Sequence, residues 1–160
     1  MEHRTLREGV IAGIIGATAV ALWFLIVDMA NGRLFYTPNM LGGAVISVLG
    51  SAEGTATNVI AYTLLHYFAF MVIGVIAVAV LHASDRQPAM LIGLLILFVA
   101  FQLGFYGFTA LMAEATDFGN IAWYQIGLAN LVAALAMGWY MFRGHPAVMG
   151  RLRHVLAGGE

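Results

Sequence analysis

The chain has 160 residues, one domain's length, of which 62% are hydrophobic and 9% charged, and its mean hydropathy is +0.90. Soluble domains carry roughly 25% charged residues, so water could not cover such a surface, whereas lipid solvates it directly. Cysteine is absent, which excludes disulfides and thiolate chemistry; the seven basic residues are all Arg and form no run suited to nucleic acid, and a net charge of −1 implies no charged partner.

Residues 1–8 are polar and carry Arg4 and Arg7. The uncharged run that follows, 9–27, spans ~30 Å of hydrocarbon at ~1.5 Å per residue. It is too long for a signal-peptide core and reads as a retained first helix, about 9–28. Gly9, Gly13 and Ala17 recur every four positions, with Ala12 and Gly16 alongside, the pattern that lets helices approach closely in lipid. Trp23 and Phe24 are expected at headgroup level.

Next comes DMANGRLFYTPNMLGGAVISVLG (28–50). Thr37 and Pro38 suit a helix start, as cap and first residue. Apolar pairs repeat every four positions from Met40 to Leu49. About twelve residues give only ~18 Å of helix, so the segment 38–50 is expected to lie in the interface or re-enter partway. Asp28 and Arg33 are expected to pair across the turn, with Phe35 and Tyr36 anchoring at the headgroups. Asp28, Arg33, Phe35, Tyr36 and Pro38 thus form a lid or a partner-facing surface.

Three further spans are expected at about 55–82, 88–113 and 119–142, each able to cross with tilt. Pro88 opens one and Asn120 caps another; Trp123, Tyr124, Trp139 and Tyr140 mark two interfaces on the last. The turns at 82–88 and 114–117 are short, so these spans form an up-down series. With the N-terminus inside, the inner segments hold Arg4, Arg7, Arg86, Arg143, Arg151 and Arg153, and the outer ones only Arg33. The positive-inside rule then puts both termini in the cytoplasm, with 143–160 a basic amphipathic tail on the headgroups or a docking segment. The expected fold is an all-α four-transmembrane-helix bundle with a short extracytoplasmic helix between its first two spans.

Polar residues inside a membrane need partners. Thr18, His66, Gln102 and Asn130, one per span, fall at ~13–17 Å depth by helical rise. They form either an interhelical hydrogen-bond layer or a binding site. Tyr62 and His66, with Asn58 above them, make a polar stripe at four-residue spacing. His66, Gln102, Asn130 and Tyr62 are therefore the candidate cofactor-binding residues, and a quinone, a lipid or a tetrapyrrole near His66 is the candidate occupant. A bis-histidine haem is disfavoured because His3, His82, His145 and His154 lie outside the layer. No metal site is expected: there is no HxxxH, no Cys, and no carboxylate near His66 in the layer. Phe98, Phe101, Phe105 and Phe108 form a ridge that serves packing, or alternatively a groove for a ligand's tail. No catalytic set is found, so an enzyme acting alone is not expected.

The stretches ALWFLIVD (21–28), GRLFYTP (32–38), LGGA (41–44) and YTLLHY (62–67) resemble a group of small four-helix bacterial membrane proteins. The resemblance implies a bacterial inner-membrane location and carries no biochemical role. The expected function is a non-catalytic accessory subunit of a respiratory or photosynthetic type of membrane complex, in contact with lipid and other membrane subunits. The alternatives are a quinone- or tetrapyrrole-binding anchor centred on His66, and a small oligomeric carrier or channel.

Overall fold

The computed structural model describes residues 2–50, 54–84, 91–112, 123–146 and 150. Its elements, in order, are α1 (Glu2–Ala30), α2 (Tyr36–Leu49), α3 (Thr55–Ser84), α4 (Leu91–Met112) and α5 (Trp123–Gly144). Among the described residues, three stretches are long and apolar enough to cross a membrane: His3–Ala30 in α1, Thr55–Ser84 in α3 and Tyr124–Gly144 in α5. In α4 the apolar stretch among the residues with described side chains is Ile92–Gly107, within the longer apolar run of the sequence.

The small residues of α1 decide where the helices meet. Gly9 lies against the backbone of Val75, and Gly13 against Phe70 and Met71; in return Gly74 lies against Gly9 and Gly13. A β-carbon at any of these positions would overlap main chain, so α1 and α3 touch backbone to backbone, the contact that dispersion favours in lipid. Gly16 faces the other way, onto Met137 of α5 and the Phe70 ring. The buried core follows from this arrangement: Ala12, Ala17, Val20 and Phe24 of α1 meet Phe70, Ala77, Val78 and Leu81 of α3 and Ala129, Ala133, Met137 and Met141 of α5. From α4 only partly buried side chains reach it, including Leu94, Leu97, Phe101 and Phe105. The core is therefore three helices with α4 laid on its flank.

Around this core the surface is apolar. Leu64 is 68% exposed, Leu103 66% and Leu135 64%, side chains that lipid, not water, would accept.

Several sequence expectations shift. Helix α1 starts at Glu2, seven residues before the apolar run, so its polar first turns remain helical. Helix α2 starts at Tyr36, so Pro38 is its third residue and not its first, still within the turn whose N–H groups have no helical partner. Phe24, expected at the headgroups, is buried in the core and Trp23 packs against that core. On α5 the aromatic ends fit better with two interfaces: Tyr124 and Trp139 are both exposed, and the Arg143 guanidinium lies 5.2 Å from the centroid of the Trp139 ring. The turn expected at 82–88 begins later, since α3 runs on through Ser84; the rest of that turn, the turn at 114–117, the Pro88 start, the Asn120 cap, residues 147–149 and the tail beyond 150 lie outside the described residues, as do the side chains of Phe108 and Trp123.

Candidate functional site

At the end of the bundle reached by the C-terminal end of α1, the chain folds back and α2 is fastened down. Phe35 precedes α2 with φ 61°, a left-handed backbone that costs a bulky side chain about 1–3 kcal/mol. No side chain at the helix start itself supplies the cap. Instead Asp28, in the last turn of α1, accepts two hydrogen bonds from Thr37: its N–H at 2.8 Å and its hydroxyl at 2.8 Å. Both residues are buried, Asp28 at 4% and Thr37 at 2% exposure. The carboxylate meets the positive end of the α2 dipole, so one helix's last turn caps the next helix's first.

This arrangement corrects two expectations. Thr37 is a donor to Asp28, not the cap of α2. Asp28 and Arg33 are joined only through backbone, with the Arg33 N–H donating to the Asp28 carbonyl at 2.9 Å. The Arg33 guanidinium lies 4.2 Å from the centroid of the Tyr36 ring. The carboxylate faces inward to the start of α2, and the turn carries the guanidinium away from it.

At its other side α2 presses on α3. A β-carbon on Gly42 would overlap the Asn58 carbonyl, and Asn58 Nδ2 donates to Asn39 Oδ1 at 3.1 Å.

Beneath α2, between α1 and α3, lies a pocket of about 240 Å³. Phe24, Leu25 and Val59 give it apolar walls, and Asp28, Phe35, Thr37 and Pro38 close its outer end. Along α3 it exposes Tyr62, Thr63, His66 and Tyr67, and from α1 Thr18. His66 is held in an aromatic frame: its ring stacks on Tyr62 at 5.1 Å and meets Phe70 at 4.8 Å. His66 Nε2 donates to the Ala17 carbonyl at 3.0 Å, which leaves Nδ1 to accept from the Tyr62 hydroxyl at 3.4 Å. That contact is long for an O–H donor, whose bonds cluster near ~2.7–2.8 Å, so a ligand could take over either partner. Thr18 Oγ1 and the Tyr67 hydroxyl are 3.1 Å apart.

The four-residue polar layer divides in two. Thr18 and His66 belong to this pocket. Asn130 Nδ2 donates to Gln102 Oε1, tying α5 to α4 at a separate place. Asn130 lines a second cavity of about 340 Å³ between α3, α4 and α5, whose other lining side chains are all apolar and include Phe98 and Phe101. Of the candidate cofactor residues, then, Tyr62 and His66 share the pocket under α2, and Gln102 and Asn130 do not reach it. Of the expected lid residues, Asp28, Phe35 and Pro38 line it, whereas Arg33 and Tyr36 do not.

The pocket's volume is below the ~300–1,000 Å³ usual for drug-sized ligands, which suits a single ring or small headgroup.

At the opposite end of the bundle the structure gathers residues that sequence reasoning left apart, Glu8, His82 and His145. They are separated by more than sixty residues at each step, so no local spacing announces them. Comparison with known protein families, curated proteins and solved structures finds no match for this chain.

Proposed function

We propose that this chain is a non-catalytic subunit of a bacterial cytoplasmic-membrane assembly, and that it holds a small amphipathic molecule of the quinone class in the pocket under α2. The observation that carries this reading is the pocket itself: apolar walls, a short ladder of polar groups from Asp28 through Tyr62 to His66, and a roof built by α2. Thr37 uses one hydrogen bond on each Asp28 oxygen, and each oxygen has lone pairs left to accept from a quinol hydroxyl. The Tyr62 hydroxyl can donate to a quinone carbonyl in place of His66. A ring-sized headgroup fills the volume, and an isoprenoid tail would leave between helices into lipid.

The same reading takes four crossings. The N-terminal end of α1 and the C-terminal ends of α3 and α5 meet at Glu8, His82 and His145. Chain leaving α3 at that face must therefore return to the other before α5 begins, and α4, at 22 residues and ~33 Å, is long enough to carry it. The positive-inside rule supports a cytoplasmic location for this face, where Arg4, Arg7 and Arg143 line one cavity. Helix α2, at 14 residues and ~21 Å, cannot cross and closes the outer end. A partner in a larger assembly would find its surface on α4, whose Ile92, Leu95, Ile96 and Leu103 are each more than 60% exposed along one flank, a face that another helix can cover as readily as lipid.

Solvent extraction of protein purified in mild detergent tests the ligand. A quinone at near-equimolar yield, reduced about tenfold in Tyr62→Phe/His66→Ala protein that remains folded, is expected from the loss of two polar contacts. If only bulk phospholipid is recovered, or the double variant retains as much quinone as wild type, the quinone reading is wrong. The same preparation reports the assembly: stable partner proteins are expected to copurify, and a lone chain would refute that half.

A further inference from the structure

The cytoplasmic ends of α1, α3 and α5 bring together the side chains of Glu8, His82 and His145, and we infer that these three bind a divalent transition-metal ion of the zinc type. The inference is independent of the pocket under α2, which lies at the other end of the bundle.

The three donors lie within 4.8 Å of one another. His82 Nε2 is 3.0 Å from His145 Nε2 and 3.5 Å from Glu8 Oε2. A tetrahedral ion with bonds of ~2.0–2.1 Å holds its ligand atoms ~3.3 Å apart, so these two separations need only a few tenths of an ångström of adjustment, and the third pair, Glu8 with His145, lies within 4.8 Å. The scaffold beneath is rigid. One residue beyond Glu8, Gly9 locks onto Val75 and Gly74, while Leu81 and Met141 are core residues on the other two helices.

The orientation of the rings is the stronger argument. His145 Nδ1 lies 2.9 Å from the Met141 carbonyl, to which it donates, and 3.3 Å from Glu8 Oε1. Either acceptor keeps the proton on Nδ1 and leaves Nε2 bare. His82 Nδ1 lies 2.9 Å from Thr5 Oγ1, an oxygen that can accept its proton. Each imidazole therefore has its Nδ1 anchored to oxygen and its Nε2 turned toward the other. Metal-bound histidines are held in this way, with the far nitrogen donating to an oxygen. With both Nδ1 protons donated to oxygen, two nitrogen lone pairs face each other at 3.0 Å, and a metal ion between them replaces the proton that would otherwise join them, with Glu8 beside them supplying the compensating charge.

The donor set also selects the metal. Two imidazoles and one carboxylate suit zinc and its transition-metal neighbours, whereas calcium and magnesium require oxygen-rich shells. Glu8, His82 and His145 leave one position of a four-coordinate ion to another donor. Alongside lies a cavity of about 420 Å³ lined by Arg4, Arg7 and Arg143 as well as Glu8, so water or an anion is the fitting fourth ligand.

The test is metal binding to the full chain, purified through a tag without histidine, stripped with a chelator and dialysed against zinc chloride alone. The chain has no cysteine, so thiolates cannot contribute. About one zinc per chain is expected, with affinity at least tenfold weaker in Glu8→Gln and in His82→Ala/His145→Ala protein that elutes as wild type. His3→Ala should bind as wild type, and Thr5→Ala about tenfold more weakly, as for loss of a group that orients a ligand. Well under one zinc per folded wild-type chain, or equal affinity in wild type and both ligand variants, would overturn the assignment. The first of those outcomes would mean that the two histidines share a proton instead.

Discussion

A carboxylate in the last turn of a helix faces the negative end of that helix's own dipole, yet Asp28 occupies such a place at 4% exposure. It is tolerated because α2 starts directly against it and Thr37 supplies two hydrogen bonds. Bonds to a charged group contribute ~1.5–3 kcal/mol, and a buried donor left without an acceptor costs ~1–3 kcal/mol. Asp28→Ala, which removes both bonds, should therefore destabilise the chain by about 3–5 kcal/mol, while Thr37→Val, which deletes one donor and keeps the shape, should cost about 1.5–2 kcal/mol. Unfolding titrations in mixed micelles would measure both, and a Thr37→Val loss exceeding that of Asp28→Ala would refute the capping role. The identity of these residues was legible in the sequence, but their partners were not. Thr beside Pro is a sound cap pattern, and Asp28 five positions from Arg33 is a sound ion pair. The left-handed turn at Phe35 decides otherwise, and nothing in the local sequence marks a non-glycine residue for that conformation. His66 and Tyr62 were legible because their four-residue spacing survives in any helix. The tie from His66 to the Ala17 carbonyl depends on how α1 and α3 are placed, which spacing on one helix does not contain.

At the scale of helices, packing is set by where a side chain is missing. The spacing of Gly9 and Gly13 signals a close helix contact from a single stretch of sequence. Gly74 and Gly42 sit in apolar runs without that spacing, and their importance becomes visible only when Gly9, Gly13 and Asn58 are seen opposite them. The flanking place of α4 was hidden for a related reason. Lipid and protein core are equally apolar, so a hydrophobic helix reads alike whether it lies at the centre or on the side. The structure separates the two cases by what surrounds each glycine. A β-carbon added to Gly104 or Gly107 of α4 would meet no neighbour within 4 Å among the described residues, whereas one on Gly13 would strike main chain. Gly13→Leu is accordingly expected to cost about 3 kcal/mol or more, the upper range for forcing atoms into a packed contact. Gly104→Leu should stay within about 0.5 kcal/mol, as an open surface position. Thermal denaturation in one detergent compares them directly. Equal losses at both positions would show that α1 and α3 do not meet through their glycines.

For the whole molecule the question is which ends share a face of the membrane. Convergence of Glu8, His82 and His145 makes α1 antiparallel to α3 and to α5, and α2 caps the other end through Asp28 and Asn58. Arg4, Arg7 and Arg143 gather at the first face and Arg33 at the second, the asymmetry that orients small membrane proteins. Absence of cysteine allows single-cysteine variants to be read without background. His3 and Gly144 are exposed at the first face, and Leu34 and Tyr124 at the second. A membrane-impermeant maleimide applied to intact spheroplasts should label Leu34→Cys and Tyr124→Cys, and should reach His3→Cys and Gly144→Cys only after permeabilisation. Val99→Cys, on the apolar surface of α4, should resist labelling in both conditions, because a thiol in hydrocarbon does not ionise and the reagent does not enter. The pairs are chosen so that each helix answers separately. His3 and Leu34 labelled from one side would mean that α1 does not cross; Tyr124 labelled only after permeabilisation, with Leu34 labelled before it, would mean that α4 does not. A full inversion of the pattern would preserve the four crossings and reverse the orientation, placing Glu8 and the histidines outside and the pocket under α2 at the cytoplasmic face.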